Sequence, residues 1–124
     1  MTKFELEYII KSSPKVVYER LSNASGLCEW FADDVNQSGD IFTFIWEGAE
    51  QQARLLQKKE NKTVRFHWLD HQDESTYFEF RLQIDALTKD LALIITDFAT
   101  EDEMDDAIEL WDISFAELKR AIGV

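Results

Sequence analysis

The sequence predicts an α+β fold: a twisted antiparallel sheet of about six to seven strands wraps one apolar face around a long C-terminal helix, and two short helices follow the first strand. Three observations predict it. Short segments along the chain alternate apolar and polar residues with period two, the pattern of strands with one face in water. Met104, Ala107, Ile108, Trp111, Phe115, Leu118 and Ile122 instead recur every three or four positions, the pattern of an amphipathic helix. The order runs strand, two helices, further strands, helix, so the only apolar surface large enough to receive the last helix is one face of the sheet.

The first strand is read over residues 3–11, where Phe4, Leu6, Tyr8 and Ile10 alternate with Lys3, Glu5, Glu7 and Lys11. Ser12-Ser13-Pro14 ends it and opens a helix to Leu21. A serine there accepts a free N–H of the first turn, and proline has no N–H to leave unpaired. After Asn23, Ser25 and Gly26, the spacing of Leu27, Trp30 and Phe31 predicts a second short helix over 24–31. Gly39-Asp40 is a turn signal, and DIFTFIWEG then places Phe42, Phe44 and Trp46 on one strand face.

Strands over 49–59, 63–69 and 76–85 follow, with Ala53 and Leu55, then Val64, Phe66 and Trp68, then Phe78, Phe80, Leu82 and Ile84 on their apolar faces. Tyr77, Glu79 and Arg81 fall on the face assigned to water. Residues 90–98, DLALIITDF, are apolar on both faces and predict a central or covered strand. Thr100 with Glu103 matches a capping box, Glu101 and Asp102 suit the positive end of the helix dipole, Lys119 and Arg120 suit the negative end, and Gly123 is placed to end the helix.

The 124 residues are the size of one domain, expected to span 1–124, and a 45% hydrophobic composition supplies its core. The formal charge is −12, with no Lys or Arg between Arg20 and Arg54 or between Lys89 and Lys119. Such a surface repels phosphate backbones and anionic headgroups, which excludes nucleic acid as a partner. The longest apolar stretch, near LALIIT, is too short to cross a bilayer, and TKFELEYIIK lacks the basic stub and apolar run of a secretion signal. A cytoplasmic location without membrane insertion is the expectation.

Three groups of residues resemble reactive chemistry, and each has a plainer reading. Cys28, the lone cysteine, has acids for neighbours, which oppose the thiolate a nucleophile needs, so it reads as a packing residue. Asp33 and Asp34 read as solvated turn residues near the rim of the sheet. His67 lies out of phase with Phe66 and Trp68, so it is expected to face solvent, and His71 follows in a loop. With Asp70 they do not make a converging metal site. The acidic run EDEMDDAIELWD lacks the glycine and spacing of a calcium loop, and no glycine-rich phosphate loop, serine-nucleophile motif or cysteine-pair zinc spacing occurs. No cofactor, metal or catalytic residue is assigned.

The words SSPKVVYERLSNASGLCEWFADDV, DIFTFIWEG, VRFHW and ELWDISFAELKRAI, in that order, resemble the START-like (SRPBCC) superfamily, nearest in pattern to its chaperone-ATPase-activator and polyketide-cyclase-like branches. One departure is visible: many relatives carry two glycines before the aromatic strand, where this chain has Ser38-Gly39-Asp40. The resemblance implies a helix-grip fold with an apolar cavity between the concave sheet and the long helix, the short helices forming one rim. Mapped by alternation, the cavity set is Tyr8, Phe42, Phe44, Trp46, Phe66, Trp68, Phe78 and Phe80 from the sheet, Trp111 and Phe115 from the last helix, and Trp30 from the rim.

Three functions fit this reading. The first is a non-catalytic protein that binds a hydrophobic or amphipathic small molecule in that cavity. The second is a cyclase- or aromatase-type enzyme, which needs inward polar groups, for which Tyr8 and Thr96 are the candidates. The third is an interaction module resembling the chaperone activators, its acidic surface meeting a basic protein, or a homodimer paired through a strand edge.

Overall fold

The computed structural model describes residues 1–124. Its elements are β1 (Thr2–Ile10), α1 (Pro14–Leu21), α2 (Ala24–Cys28), β2 (Asp34–Ser38), β3 (Ile41–Trp46), β4 (Ala49–Lys59), β5 (Thr63–Trp68), β6 (Phe78–Ile84), β7 (Leu91–Ala99) and α3 (Met104–Ile122). The seven strands form one sheet in the order β1-β7-β6-β5-β4-β3-β2, and every neighbouring pair is antiparallel. With a long C-terminal helix laid on the concave face, this is the predicted α+β, helix-grip architecture.

Local signals act much as their chemistry demands. Ser13 Oγ accepts from Val16 N–H at 3.2 Å with Pro14 at the first helical position, and Gly123 ends α3 in the left-handed conformation at φ 91°. Gly39 and Gly48, at φ 63° and 75°, occupy the β2–β3 and β3–β4 turns, where a side chain would be strained.

Four expectations change. The second helix stops at Cys28, and Trp30 and Phe31 follow it in tight turns, with both their N–H groups donating to Leu27 O. The strand β2 escaped the alternation because only Val35 of DVNQS is buried. Thr100 makes no side-chain cap. A 3₁₀ turn over Glu101–Glu103 leads into α3 in its place.

The fourth change concerns the outer face of the sheet. Glu79, assigned to water, is only 4% exposed, because Arg65 (2.7 Å) and Arg81 (3.7 Å) fold over it. Thr96 is on this outer face too, its hydroxyl donating to Glu5, so it does not point inward as the enzyme reading required. These long charged side chains, rather than a second layer of structure, hide the outer side of β7, where Ala92, Ile94 and Thr96 are buried. No helix is long and apolar enough to cross a membrane.

Candidate functional site

The concave face carries the phenylalanines that alternation placed there. Phe42, Phe44, Phe66, Phe78 and Phe80 are fully buried, their rings meeting edge to face or stacked at centroid separations such as 5.1 Å for Phe42–Phe66 and 5.1 Å for Phe66–Phe78. They fill the middle of the sheet. What seals them is Phe31, whose ring packs on Phe44 (5.0 Å), Phe78 (5.8 Å) and Trp111 (5.8 Å).

Phe31 reaches that place because α2 sits hard against α1. Gly26 lies so close to α1 that a Cβ there would be 2.0 Å from the Glu19 carbonyl oxygen. Asn23 Oδ1 caps α2 through Gly26 N–H, and Trp30, buried beside Phe80, donates its indole N–H to Arg20 O at 2.7 Å. The chain then turns inward, and Trp46 Nε1 donates to the Phe31 carbonyl at 2.9 Å, tying the end of β3 to the plug.

α3 crosses the β1–β7–β6 side of the sheet. Phe115 stacks on Tyr8 at 4.3 Å, and Trp111 meets Phe80 edge to face at 5.8 Å. Tyr8 O–H donates to Asp112, an exposed residue of α3, and burial with that neighbouring carboxylate pushes the Tyr8 hydroxyl pKa well up. Because α3 favours that side, a gap stays open between its N-terminal half and the ends of β3 and β5.

That gap is a recess of about 350 Å³, walled by Phe31, Trp46, Trp68, Trp111, Ala107, Leu110, Ser114 and Asp97. A second recess of about 470 Å³ continues past Phe31 and Trp46 along α3, between Ile113, Ser114 and Glu117 on one side and Cys28–Asp33 on the other. The end of α2 and the turns that follow it, Cys28–Asp33, thus form one rim, and α1 lines neither recess. Of the cavity set, Trp46, Trp68 and Trp111 line the first recess and Trp30 lines the second. Phe42, Phe44, Phe66, Phe78 and Phe80 form the packed layer, and Tyr8 and Phe115 join α3 to β1.

The charged group at the first recess is Asp97, which the cavity set omitted. Alternation along DLALIITDF does place it in phase with Leu91, Leu93 and Ile95 on the concave side, so the signal was present in the sequence. Its Oδ2 accepts from Trp111 Nε1 at 2.9 Å and its Oδ1 from Phe98 N–H at 2.8 Å. Burial nevertheless pushes its pKa above the ordinary carboxylate value, against the hydrogen bonds and the nearby His71, which pull it down.

The other reactive-looking residues are occupied by the fold. Asp33 Oδ2 accepts from Glu47 N–H at 3.0 Å, Asp34 Oδ1 accepts from Val35 N–H, and half-buried Cys28 sets its sulfur 3.5 Å from the Asp33 carbonyl. His67 is half-buried where solvent exposure was expected, with Nδ1 2.7 Å from Thr76 O, and His71 Nδ1 lies 3.3 Å from Thr76 Oγ1. Both imidazoles therefore brace the β5–β6 connection.

A family model described as a START-like superfamily domain matches residues 1–124. Among solved structures, the chain is similar to the protein BfR322 of Bacteroides fragilis, at 38% identity and TM-score 0.68, covering 96% of this chain and 89% of that one. It is similar to the Aha1 dimer of Colwellia psychrerythraea, at 24% identity and TM-score 0.81, over 98% of this chain and 96% of that one. It is also similar to protein MLL2253 of Mesorhizobium loti, at 19% identity and TM-score 0.77, over 98% and 97%. No curated protein matches the chain.

Proposed function

This chain belongs to the START-like superfamily, and from that premise we propose that it is a single START-like domain that holds a hydrophobic or amphipathic small molecule in the recess beside α3, without transforming it. The observation that carries the reading is the recess itself. About 350 Å³ of open space bounded by three tryptophans and Phe31 suits a small apolar body, whereas a core that only needed filling would close there as it does around Phe66. A cytoplasmic ligand carrier is the setting we infer.

The recess wall is mostly apolar, which suits holding a ligand. Asp97 is its only titratable residue, Ser114 adds a hydroxyl, and Tyr8, which does not line the recess, spends its hydroxyl on Asp112. The test is native mass spectrometry of the purified protein against fatty acids, sterols, aromatic polyketides and aromatic amines, repeated with Trp46→Ala. Retention of a ligand class by the wild type and its loss in the variant supports the reading. Equal retention by both places the ligand elsewhere and overturns it.

A second reading, an interaction surface, is favoured by Leu110 and Ile113, which are 65% and 54% exposed on α3 beside the two recesses. The similar Colwellia protein is described as a dimer. Light scattering on this chain, and a pull-down at low and physiological salt for basic partners, tests it. A monomer with no salt-sensitive partner removes this reading.

A further inference from the structure

We propose that the recess selects a cation: a protonated amine or quaternary ammonium group on an apolar or aromatic body, with Asp97 as its counter-charge and the faces of Trp46, Trp68 and Trp111 as its walls. This rests on the ligand-holding reading above and names the chemical class of that ligand.

Four observations point the same way. The wall carries a carboxylate and no Lys or Arg, and the second recess adds Glu29, Asp33 and Glu117. A fatty-acid or other carboxylate ligand would meet like charge there, within a chain of net charge −12. Asp97 keeps acceptor capacity, because each of its oxygens receives one hydrogen bond and a carboxylate accepts about four. The indole N–H groups of Trp46 and Trp111 are already given to Phe31 O and Asp97, so those residues offer a ligand their π faces rather than donors.

Ring faces attract cations, and a desolvated carboxylate attracts them more. A ligand without a donor that filled the recess would take water from Asp97 and return nothing, at a cost, and a neutral hydroxyl would return only an uncharged hydrogen bond. A cation returns a charge-assisted hydrogen bond. The upward-shifted pKa of Asp97 agrees with this, since burial leaves its charge undercompensated by the protein alone.

The experiment uses a matched trio: 2-(1-naphthyl)ethylamine, the corresponding alcohol, and the corresponding carboxylate of similar length. Each is titrated into the full chain while the indole N–H signals of Trp46, Trp68 and Trp111 are followed by NMR. The amine is expected to bind about tenfold more tightly than the alcohol, with the carboxylate weakest. Asp97→Asn should cut the amine's advantage over the alcohol to what the ring faces alone supply, about two- to threefold, and leave the alcohol within about twofold. Trp68→Leu should weaken the amine more than the alcohol, a check that does not depend on how the Asp97→Asn variant folds.

An alcohol that binds as well as the amine in the wild type overturns the cation assignment and leaves the ligand-holding reading standing. So does an amine preference that is undiminished in Asp97→Asn. If none of the three moves the tryptophan signals, both fall.

Discussion

The concave space has two halves built from the same class of residue, and they behave differently. Along β3, Phe42 and Phe44 are fully buried in the closed half, while two positions further on Trp46 stands half-exposed at the mouth. Along β5 the same change occurs from Phe66 to Trp68. Period-two alternation assigns a face of the sheet and says nothing about distance along it, so residues in identical phase end in a solid layer or at an opening. What divides them is the plug: Phe31 covers the phenylalanines, α3 leans toward β1, and the tryptophans are left around the gap.

The largest effect that would break this division is in the closed half. Phe66→Ala removes a fully buried ring that packs on Phe42 and Phe78, and should cost about 3–5 kcal/mol in urea-induced unfolding. Binding of a neutral naphthyl ligand should be unchanged in the surviving folded protein. A variant of near wild-type stability would mean that the layer around Phe66 is not closed.

Next in size is Gly26→Ala. The added Cβ would meet the backbone of α1, 2.0 Å from Glu19 O and 2.7 Å from Arg20 Cα, and neither atom can swing aside. A cost of about 2–3 kcal/mol is expected, together with displaced indole signals of Trp46 and Trp111, because α2 sets where Phe31 lies. Lost stability with unmoved signals would detach the plug from the α1–α2 contact.

How much of this was legible follows from the same division. The sheet faces, the α1 start and the α3 stripe were legible because each is a local period or a local cap. Phe31 as a plug was not: its spacing from Leu27 reads as helix, and only the tertiary seat of Gly26 shows that the chain leaves α2 at Cys28 and turns inward. β2 was hidden by its polarity. Glu79 was misplaced because burial under Arg65 and Arg81 depends on cross-strand partners that a single strand's alternation does not show. Asp97 was legible in phase, yet the two-sided hydrophobicity of its strand drew attention to Thr96 beside it, which turns outward.

In the open half, Trp68→Ala sharpens the comparison from the other side. Trp68 stacks on Phe78 at 4.7 Å but is half-exposed, so its loss should cost only about 1–2 kcal/mol of stability. The neutral naphthyl ligand should weaken about tenfold, corresponding to about 1.4 kcal/mol. Phe66→Ala and Trp68→Ala are therefore opposite tests: one takes stability without affinity, the other takes more affinity than its share of stability. The same pattern from both would erase the boundary drawn at Phe31.

The smallest expected effect, and the one with an unusual sign, is that of Asp97→Asn on folding. Burial raises the pKa of Asp97 in the folded protein above the ordinary 3.8, so the folded state takes up its proton more readily than the unfolded chain does. At neutral pH the carboxylate is then ionised against that preference and lowers stability relative to an uncharged residue. As pH falls through the folded value toward 3.8, protonation restores what was lost, and below 3.8 the two states no longer differ in charge at this position. The amide oxygen that Asp97→Asn introduces can still accept from Trp111, so the variant should be slightly more stable than the wild type near pH 7, and this advantage should vanish at low pH. Urea unfolding of both proteins across that range measures the difference while cancelling the shared effect of the other carboxylates. A wild type that is the more stable at pH 7 would show that the bonds from Trp111 and Phe98 outweigh burial. Asp97 would then be an anchor of the closed half rather than an unsatisfied charge at the open one.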